Sequence, residues 1–200
     1  MSDRIVTKRL ETGEPAAFVR LRLENHGRST ARNAGVRVIQ VHRWDAPSGE
    51  WARLRPELDG RLLQPSNQLA SEPDLVDVFP RSDRIVDLAS VDYGRVFSGA
   101  SPVFVEISHP WPPNEANVLE PATWRLELAV VGDNITPERS SVTLSFDGMW
   151  HDLETPEIWD HFLVDTSSSE SLRPPGDVHR DGAPAGARRR RRAAPAGPGP

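Results

Sequence analysis

The side chains best suited to acid–base or metal chemistry lie in two pairs, His151-Asp152 and Asp160-His161. Imidazole and carboxylate groups act as general acids, general bases and zinc ligands, and a short helix that folds back would bring the two pairs together. The six histidines show no HxH or HExxH spacing, and no Gly-x-Ser-x-Gly turn or glycine-rich phosphate loop is present. We therefore predict no catalytic residue, no metal site, no cofactor and no enzyme, with a site at the two pairs as the alternative.

A second set of carboxylates has the residue type that binds Ca²⁺. Asp74, Asp77, Asp83 and Asp87 could line one edge of a sheet, where their oxygens would be suitable ligands. Charged residues on edge strands more often prevent strand-to-strand aggregation. We interpret these carboxylates as structural.

Three tryptophans, Trp111, Trp150 and Trp159, lie beside proline or polar residues and outside the clear strand patterns. Aromatic rings at loop positions can stack on sugars or anchor a protein partner. They can equally cover the open ends of a sandwich. We take these three residues as candidate contacts for a ligand or partner, with packing as the alternative.

The C-terminal segment carries a run of five basic residues, which are Arg188, Arg189, Arg190, Arg191 and Arg192. Such a run can contact a polyanion weakly, through salt-dependent attraction that has no sequence preference. It also has the composition of a solvated terminus encoded by a GC-rich bacterial genome. Both interpretations remain open.

Composition and charge divide the chain. Pro, Gly, Ala, Ser and Arg dominate after residue 165, and such a segment buries too little apolar area to offset the entropy of ordering. From residue 166 onward seven arginines face three carboxylates, a net charge of +4; the whole chain carries −5, so residues 1–165 carry −9. A domain with this negative charge is unsuited to sequence-specific nucleic-acid recognition. We predict an arm or edge strand over 1–16, a β-sandwich over 17–165 and a disordered tail over 166–200.

Two absences in the sequence bear on location. The chain has no cysteine, which excludes disulfides and thiolate metal sites. It shows no run of about 20 apolar residues and no segment typical of a signal peptide. We expect a cytoplasmic protein that does not span a membrane.

Two early runs have the spacing of strands. In residues 18–24 apolar and charged side chains alternate with period two, and residues 25–27 then break the run with turn-forming types. In residues 36–41 the alternation slips once, between Val38 and Ile39, which indicates a β-bulge or a strand buried on both faces. We interpret the two runs as neighbouring strands of a sandwich.

Residues 44–51 have the pattern of a hairpin loop, with Trp44 and Trp51 on its two sides. Asp45 and a Pro-Ser-Gly triplet supply the turn-forming residues. The two rings can stack across the hairpin and fill one end of the sandwich, and an exposed ligand platform is the alternative.

The rest of the chain repeats short strand patterns punctuated by Gly and Pro. One short helix is predicted after residue 155, with Ile158, Trp159, Phe162 and Leu163 on its apolar side. Seven or so strands without a long helical period predict an all-β fold, a two-sheet antiparallel β-sandwich. The later strand runs are 75–79, 84–91, 103–107, 123–131 and 142–146.

Two stretches together resemble bacterial immunoglobulin-like sandwich modules, including the cell-adhesion-related type. VRLRLENHGRSTARNAGVRV is similar to their pattern of strand, Asn-x-Gly, Ser/Thr-Ala-x-Asn and strand, and FPRSDRIVDLASVD is similar to a later segment. The resemblance covers residues 17–148 and implies an immunoglobulin-like fold with a binding, spacer or accessory role. It carries over no functional residue, because the matching positions are turn and core residues.

These observations favour a non-catalytic binding or accessory module that contacts another protein, whose identity the sequence does not give. The alternative is a carbohydrate-binding module that uses its loop tryptophans.

Overall fold

The computed structural model describes residues 2–8, 15–66, 75–92, 103–107, 117–148 and 158–166. Strands make up most of these residues, together with a 3-10 turn at Pro56–Leu58 and a short helix, α1, at Ile158–His161. The strands in chain order are β1 (Ser2–Lys8), β2 (Pro15–Glu24), β3 (Ala31–Asp45), β4 (Glu50–Leu54), β5 (Gln64–Pro65), β6 (Val76–Val78), β7 (Asp83–Asp92), β8 (Val103–Val105), β9 (Val118–Leu119), β10 (Ala122–Val131), β11 (Glu138–Phe146) and β12 (Phe162–Asp165).

The described strands pair antiparallel and form two sheets. The first sheet has the order β1-β2-β7-β8-β9, with β5 also paired to β7. The second has the order β12-β11-β10-β3-β4, with β6 also paired to β3. The predicted all-β, two-sheet sandwich with one short helix is therefore confirmed.

The core lies between the two sheets, because alternate side chains of each strand point to the inner face. Val19 and Ala89 represent the first sheet in this core, and Val38, Leu126 and Leu144 represent the second. All five are essentially inaccessible to solvent. Burial of these apolar groups is the main stabilising contribution to such a fold.

The strands β2 and β3 lie in different sheets, so the prediction that they are neighbouring strands is wrong. β2 pairs with β1 on one edge and β7 on the other, and β3 pairs with β10 on one edge and with β4 and β6 on the other. With both edges of each strand occupied, the two cannot pair together. Asn25 fixes the crossover between the sheets, because its amide nitrogen donates to the carbonyl oxygens of Ser29 and Val78, each at 2.8 Å.

The predicted slip in β3 is a β-bulge. Glu127 of β10 pairs with Gln40, whereas the next residue, Leu128, pairs with Val38, so Ile39 is the extra residue. Val38 and Val41 are both fully buried on the two sides of the bulge. The bulge thus restores the apolar residues to the inner face after one unmatched position.

The predicted short helix is confirmed, and it ends at His161. Phe162 and Leu163, which we placed on its apolar side, belong to β12 and pair with Phe146 and Ser145 of β11. Phe162 is buried in the core and Leu163 points outward, as alternate residues of a strand must. The ladder with β11 satisfies backbone groups that a second helical turn would have satisfied internally.

Both ends of the chain bear on the predicted domain limits. Ser2–Lys8 pairs with β2 and forms the edge strand of the first sheet. An edge strand is one of the two alternatives predicted for residues 1–16. The predicted disordered tail lies outside the described residues after residue 166. Among the described residues, no helix is long and apolar enough to cross a membrane.

A pair of leucines in the second sheet tests this division into inner and outer faces. We expect Leu126→Ala to lower the free energy of unfolding by about 2–5 kcal/mol, because it leaves a cavity in a packed core. Leu163→Ala removes the same atoms from an exposed position on the same sheet and should change stability by less than about 0.5 kcal/mol. Urea denaturation measures both values, and equal losses would contradict the assignment of faces.

Candidate binding face

The outer face of the second sheet carries aromatic and basic side chains where β10, β3 and β4 lie side by side. The register pairs Arg125 with His42 and His42 with Arg53, so these three residues form one row across the strands. Trp44 pairs with Trp51 two residues further along the hairpin. We call these five residues the basic-aromatic face. Strand alternation puts all of them on the side opposite the core.

The hairpin between β3 and β4 pairs the two tryptophans as the sequence predicts. The prediction that they fill one end of the sandwich is wrong, because both lie on the outer face of the second sheet. Their ring centroids are 5.3 Å apart with an interplanar angle of 62°, an edge-to-face contact. Both side chains are half-buried. Edge-to-face packing is a favourable aromatic geometry, and it leaves the two ring planes far from parallel.

Arg125 stacks on this pair. Its guanidinium carbon lies 4.7 Å from the centroid of the Trp51 ring, a cation–π contact. Its Nη2 atom is 4.0 Å from Oε1 of Glu127. Among the residues that the structure describes, Arg125 Nε and Trp51 Nε1 are both buried and have no hydrogen-bond partner. The stack therefore holds two donors whose hydrogen-bonding capacity is unmet, which costs free energy in the isolated chain.

His42 lies in the middle of the row, with its side chain 12% exposed. Burial lowers the pKa of His42 below its ordinary value of 6.5, and the positive charges of Arg125 and Arg53 lower it further. The carboxylate of Glu127, with Oε1 3.8 Å from His42 Nδ1, opposes this shift less strongly than burial drives it. The imidazole is thus held neutral between two guanidinium groups.

Ion pairs surround the basic-aromatic face. Arg53 forms a close ion pair with Asp59, which follows the 3-10 turn. Arg55 reaches Glu120 with an N–O distance of 3.5 Å, and Arg43 reaches the same residue at 3.7 Å. The last two contacts connect β3 and the residue that follows β4 to Glu120, which precedes β10. Each is partly exposed and contributes little stability by itself.

The outer face of the first sheet holds a separate buried polar cluster. Arg20 Nε donates to Asp87 Oδ1 at 2.7 Å, and the Ser90 hydroxyl is hydrogen-bonded to Glu106. Asp87, Ser90 and Glu106 are all buried. Burial raises the pKa of the Asp87 carboxyl, and the charge of Arg20 offsets only part of that rise. Buried charges of this kind are retained only when they are paired.

A surface cavity lies beside β6, where Phe79 is 57% exposed. Its volume is about 760 Å³, and apolar and charged side chains share its lining. Asp83, one of its carboxylates, is paired with Arg22 at 3.4 Å. Asp77, another, accepts a hydrogen bond from the Asn33 backbone N–H at 3.1 Å. The cavity is an open surface depression with no concentration of one charge.

The structure places one of the three candidate contact tryptophans. Trp159 is half-buried and stacks on Phe162, with ring centroids 6.0 Å apart. It therefore packs against the core. Trp111 and Trp150 lie outside the described residues, as do the five arginines at 188–192.

The residues proposed for acid–base or metal chemistry are only partly described. His161 is paired through Nδ1 with Asp147, and His151 and Asp152 lie outside the described residues. Asp77, Asp83 and Asp87 each have a different protein partner, and Asp74 is not described. The described ranges contain no group of three or more side chains that could hold a metal ion.

Sequence reasoning missed the row formed by His42, Arg53 and Arg125. Alternation indicates that Arg125 faces outward, but His42 and Arg125 are 83 positions apart in the chain. Only the strand pairing brings them together. Neither residue lies in a recognisable motif, so no local signal identifies the site.

Comparison with protein-family models, with curated proteins and with solved structures finds no match to this chain. The case for a function therefore depends on the geometry of the described residues.

The lowered pKa of His42 predicts a loss of stability in mild acid. Below about pH 6.5 the unfolded chain binds a proton at residue 42 that the folded chain takes up only at lower pH. Stability is therefore complete above this window and falls as the pH decreases through it. As the pH is lowered through this window, the free energy of unfolding measured in urea should fall less for the His42→Gln variant than for the unsubstituted chain. Identical pH profiles for the two proteins would contradict the shift.

The raised pKa of Asp87 predicts the opposite dependence of stability on pH. Its raised pKa means that the folded chain keeps the proton at pH values above 3.8, where the unfolded chain has lost it. The stability contribution of this group is largest below that window and decreases as the pH rises through the raised pKa. The variant Asp87→Asn should lack this decrease. Urea midpoints measured at several pH values test it, and parallel profiles for the two proteins would count against it.

Proposed function

We propose that this chain is a non-catalytic β-sandwich module that binds another protein through the basic-aromatic face. The observation that carries the proposal is the stack of Arg125 on Trp51, at 4.7 Å, on the outer face of an open sheet. Trp and Arg are the residue types most enriched among the few side chains that dominate protein interfaces. The edge contact from Trp44 orders the ring of Trp51 before any partner arrives. Such ordering reduces the entropy lost on binding.

The unmet donors support the same proposal. In the part of the chain that the structure describes, Trp51 Nε1, Arg125 Nε and His42 Nδ1 have no hydrogen-bond partner. All three atoms lie within the basic-aromatic face. A shift of their side chains on binding would let polar groups of a partner form hydrogen bonds to them. An interface gains affinity by satisfying groups that the isolated protein leaves unpaired.

Carbohydrate binding is supported less well by this geometry. A sugar platform needs exposed ring faces that lie flat against the ligand. The two rings meet at 62°, and the guanidinium of Arg125 already covers one face of Trp51. The proposal therefore assigns these side chains to a protein partner and keeps sugar binding as an outcome of the test.

The proposal also covers the class of protein module to which this chain is similar. The resemblance of residues 17–148 to bacterial immunoglobulin-like modules is compatible with two antiparallel sheets, and such modules commonly act as binding or accessory domains. In this proposal the chain contributes a surface to an assembly and does no chemistry of its own.

Two aromatic substitutions test the proposed face. The full chain is immobilised, partners are captured from an extract of the native host, and the dissociation constant of the purified partner is measured by calorimetry. We expect Trp51→Ala to weaken binding by roughly 30-fold or more, because an interface anchor commonly contributes at least about 2 kcal/mol. Phe79→Ala is the matched control, since it removes an exposed aromatic ring from a different surface.

Two results would overturn the proposal. One is a partner that binds the Trp51→Ala variant as tightly as the unsubstituted chain but no longer binds the Phe79→Ala variant. The other is a change in tryptophan fluorescence on titration with a soluble polysaccharide that disappears in the Trp51→Ala variant. That result would assign the face to carbohydrate.

A further inference from the structure

A second feature of the same outer face lies on the other side of the Ile39 bulge. Ala129 of β10 pairs with Arg37 of β3 on one edge and with Arg139 of β11 on the other. The three residues therefore form a row across three strands, with a small side chain between two long basic ones. Val38 and Leu128, next in sequence to Arg37 and Ala129, face the core, so this row faces outward.

The three residues of this row differ in burial. Arg37 and Arg139 are exposed, whereas Ala129 between them is 4% exposed. Neither arginine forms an ion pair or a hydrogen bond through its side chain within the described ranges. Glu127, the nearest carboxylate along β10, already lies beside Arg125 and His42. Within the described residues, two exposed cations that have no ion pair thus flank a small buried side chain, and we call the position above Ala129 the notch.

Strand geometry allows both guanidinium groups to reach one anion. The two flanking strands are about 10 Å apart, twice the spacing of neighbouring strands. Flexible side chains of this length can converge over the small alanine, and guanidinium groups bind carboxylates through paired, charge-assisted hydrogen bonds. An anion in the notch would also relieve the repulsion between the two like charges.

We infer that Arg37 and Arg139 form a subsite for a carboxylate-bearing segment of the protein partner. This inference rests on the proposed function, because it names the chemistry of the partner at the same sheet face. Net charge favours a short acidic segment over a polyanion. The chain carries −5 overall, so it repels a partner with many negative charges more strongly than a segment with few, whereas the two unpaired arginines attract an individual carboxylate at close range.

The position of the notch adds a spacing requirement. Ala129 and Arg125 lie on the same face of β10, four residues and therefore about 13 Å apart. A partner that contacts Arg125 and fills the notch must present an acidic side chain at about that distance from its first contact. An extended peptide running along β10 meets this requirement.

The first experiment uses a defined probe. Acetylated tetraglutamate amide is titrated into the ¹⁵N-labelled full chain at low salt, with tetraglutamine as the neutral comparison. We expect tetraglutamate alone to shift the amide signals of Arg37, Ala129 and Arg139. The double variant Arg37→Gln/Arg139→Gln should bind it at least about tenfold more weakly, because both charged donors are lost. Arg28→Gln, at an exposed bend, is the matched control and should leave binding unchanged.

Three results would overturn the subsite. The first is the absence of shifts at these three residues, and the second is binding that the double variant leaves intact. The third is an equal affinity for inorganic phosphate and tetraglutamate, which would mean an adventitious ion only. Amide spectra of both variants that overlay on the parent spectrum away from the substituted rows show that the fold is retained.

The purified partner separates this inference from the proposed function. Loss of partner affinity in the double variant but not in Trp51→Ala would support the subsite and reject the Trp51 anchor. Loss in Trp51→Ala but not in the double variant would retain the anchor and reject the acidic contact. Loss in both supports the two together.

Discussion

The two sheets can close on one another only if every central strand keeps its apolar residues on the inner face. In β10 this requirement buries Leu126 and Leu128 and directs Arg125 and Glu127 outward. A slip of one residue in the pairing of β3 with β10 would exchange these sets and place two charges in the core. The outer faces, where every proposed contact lies, are therefore determined by the packing beneath them.

Register shifts keep the apolar residues on the inner face where the alternation of the sequence is interrupted. Ile39 is the extra residue of β3, and Leu88 is the extra residue of β7 opposite β2. Each bulge lies close to polar side chains on the outer face: Arg37 and Gln40 lie on either side of the first, and Asp87 immediately precedes the second. The bulges thus divide the outer faces into separate clusters while the inner faces remain continuous. Bulges commonly have this effect near functional positions.

Local patterns in the sequence were enough to predict strands, the hairpin of Trp44 and Trp51 and the interrupted alternation at Ile39, since each depends on residues close together in the chain. The sheet that a strand joins depends on partners far away, which is why β2 and β3 were assigned as neighbours incorrectly. The basic-aromatic face was missed for the same reason. From the sequence alone, Arg125 is predicted only to point outward. The strand register is what places it beside His42 and Trp51. Burial of Asp87 is likewise a property of the assembled sheet.

The edge-to-face contact between Trp44 and Trp51 also has an optical consequence. Two indole chromophores 5.3 Å apart and inclined at 62° have electronic transitions that couple, and such coupling produces an exciton couplet in the circular dichroism spectrum. The couplet depends on the mutual orientation of the rings and not on the amount of strand elsewhere. The β3–β4 hairpin therefore carries an intrinsic reporter, which follows local opening of that hairpin separately from unfolding of the sandwich.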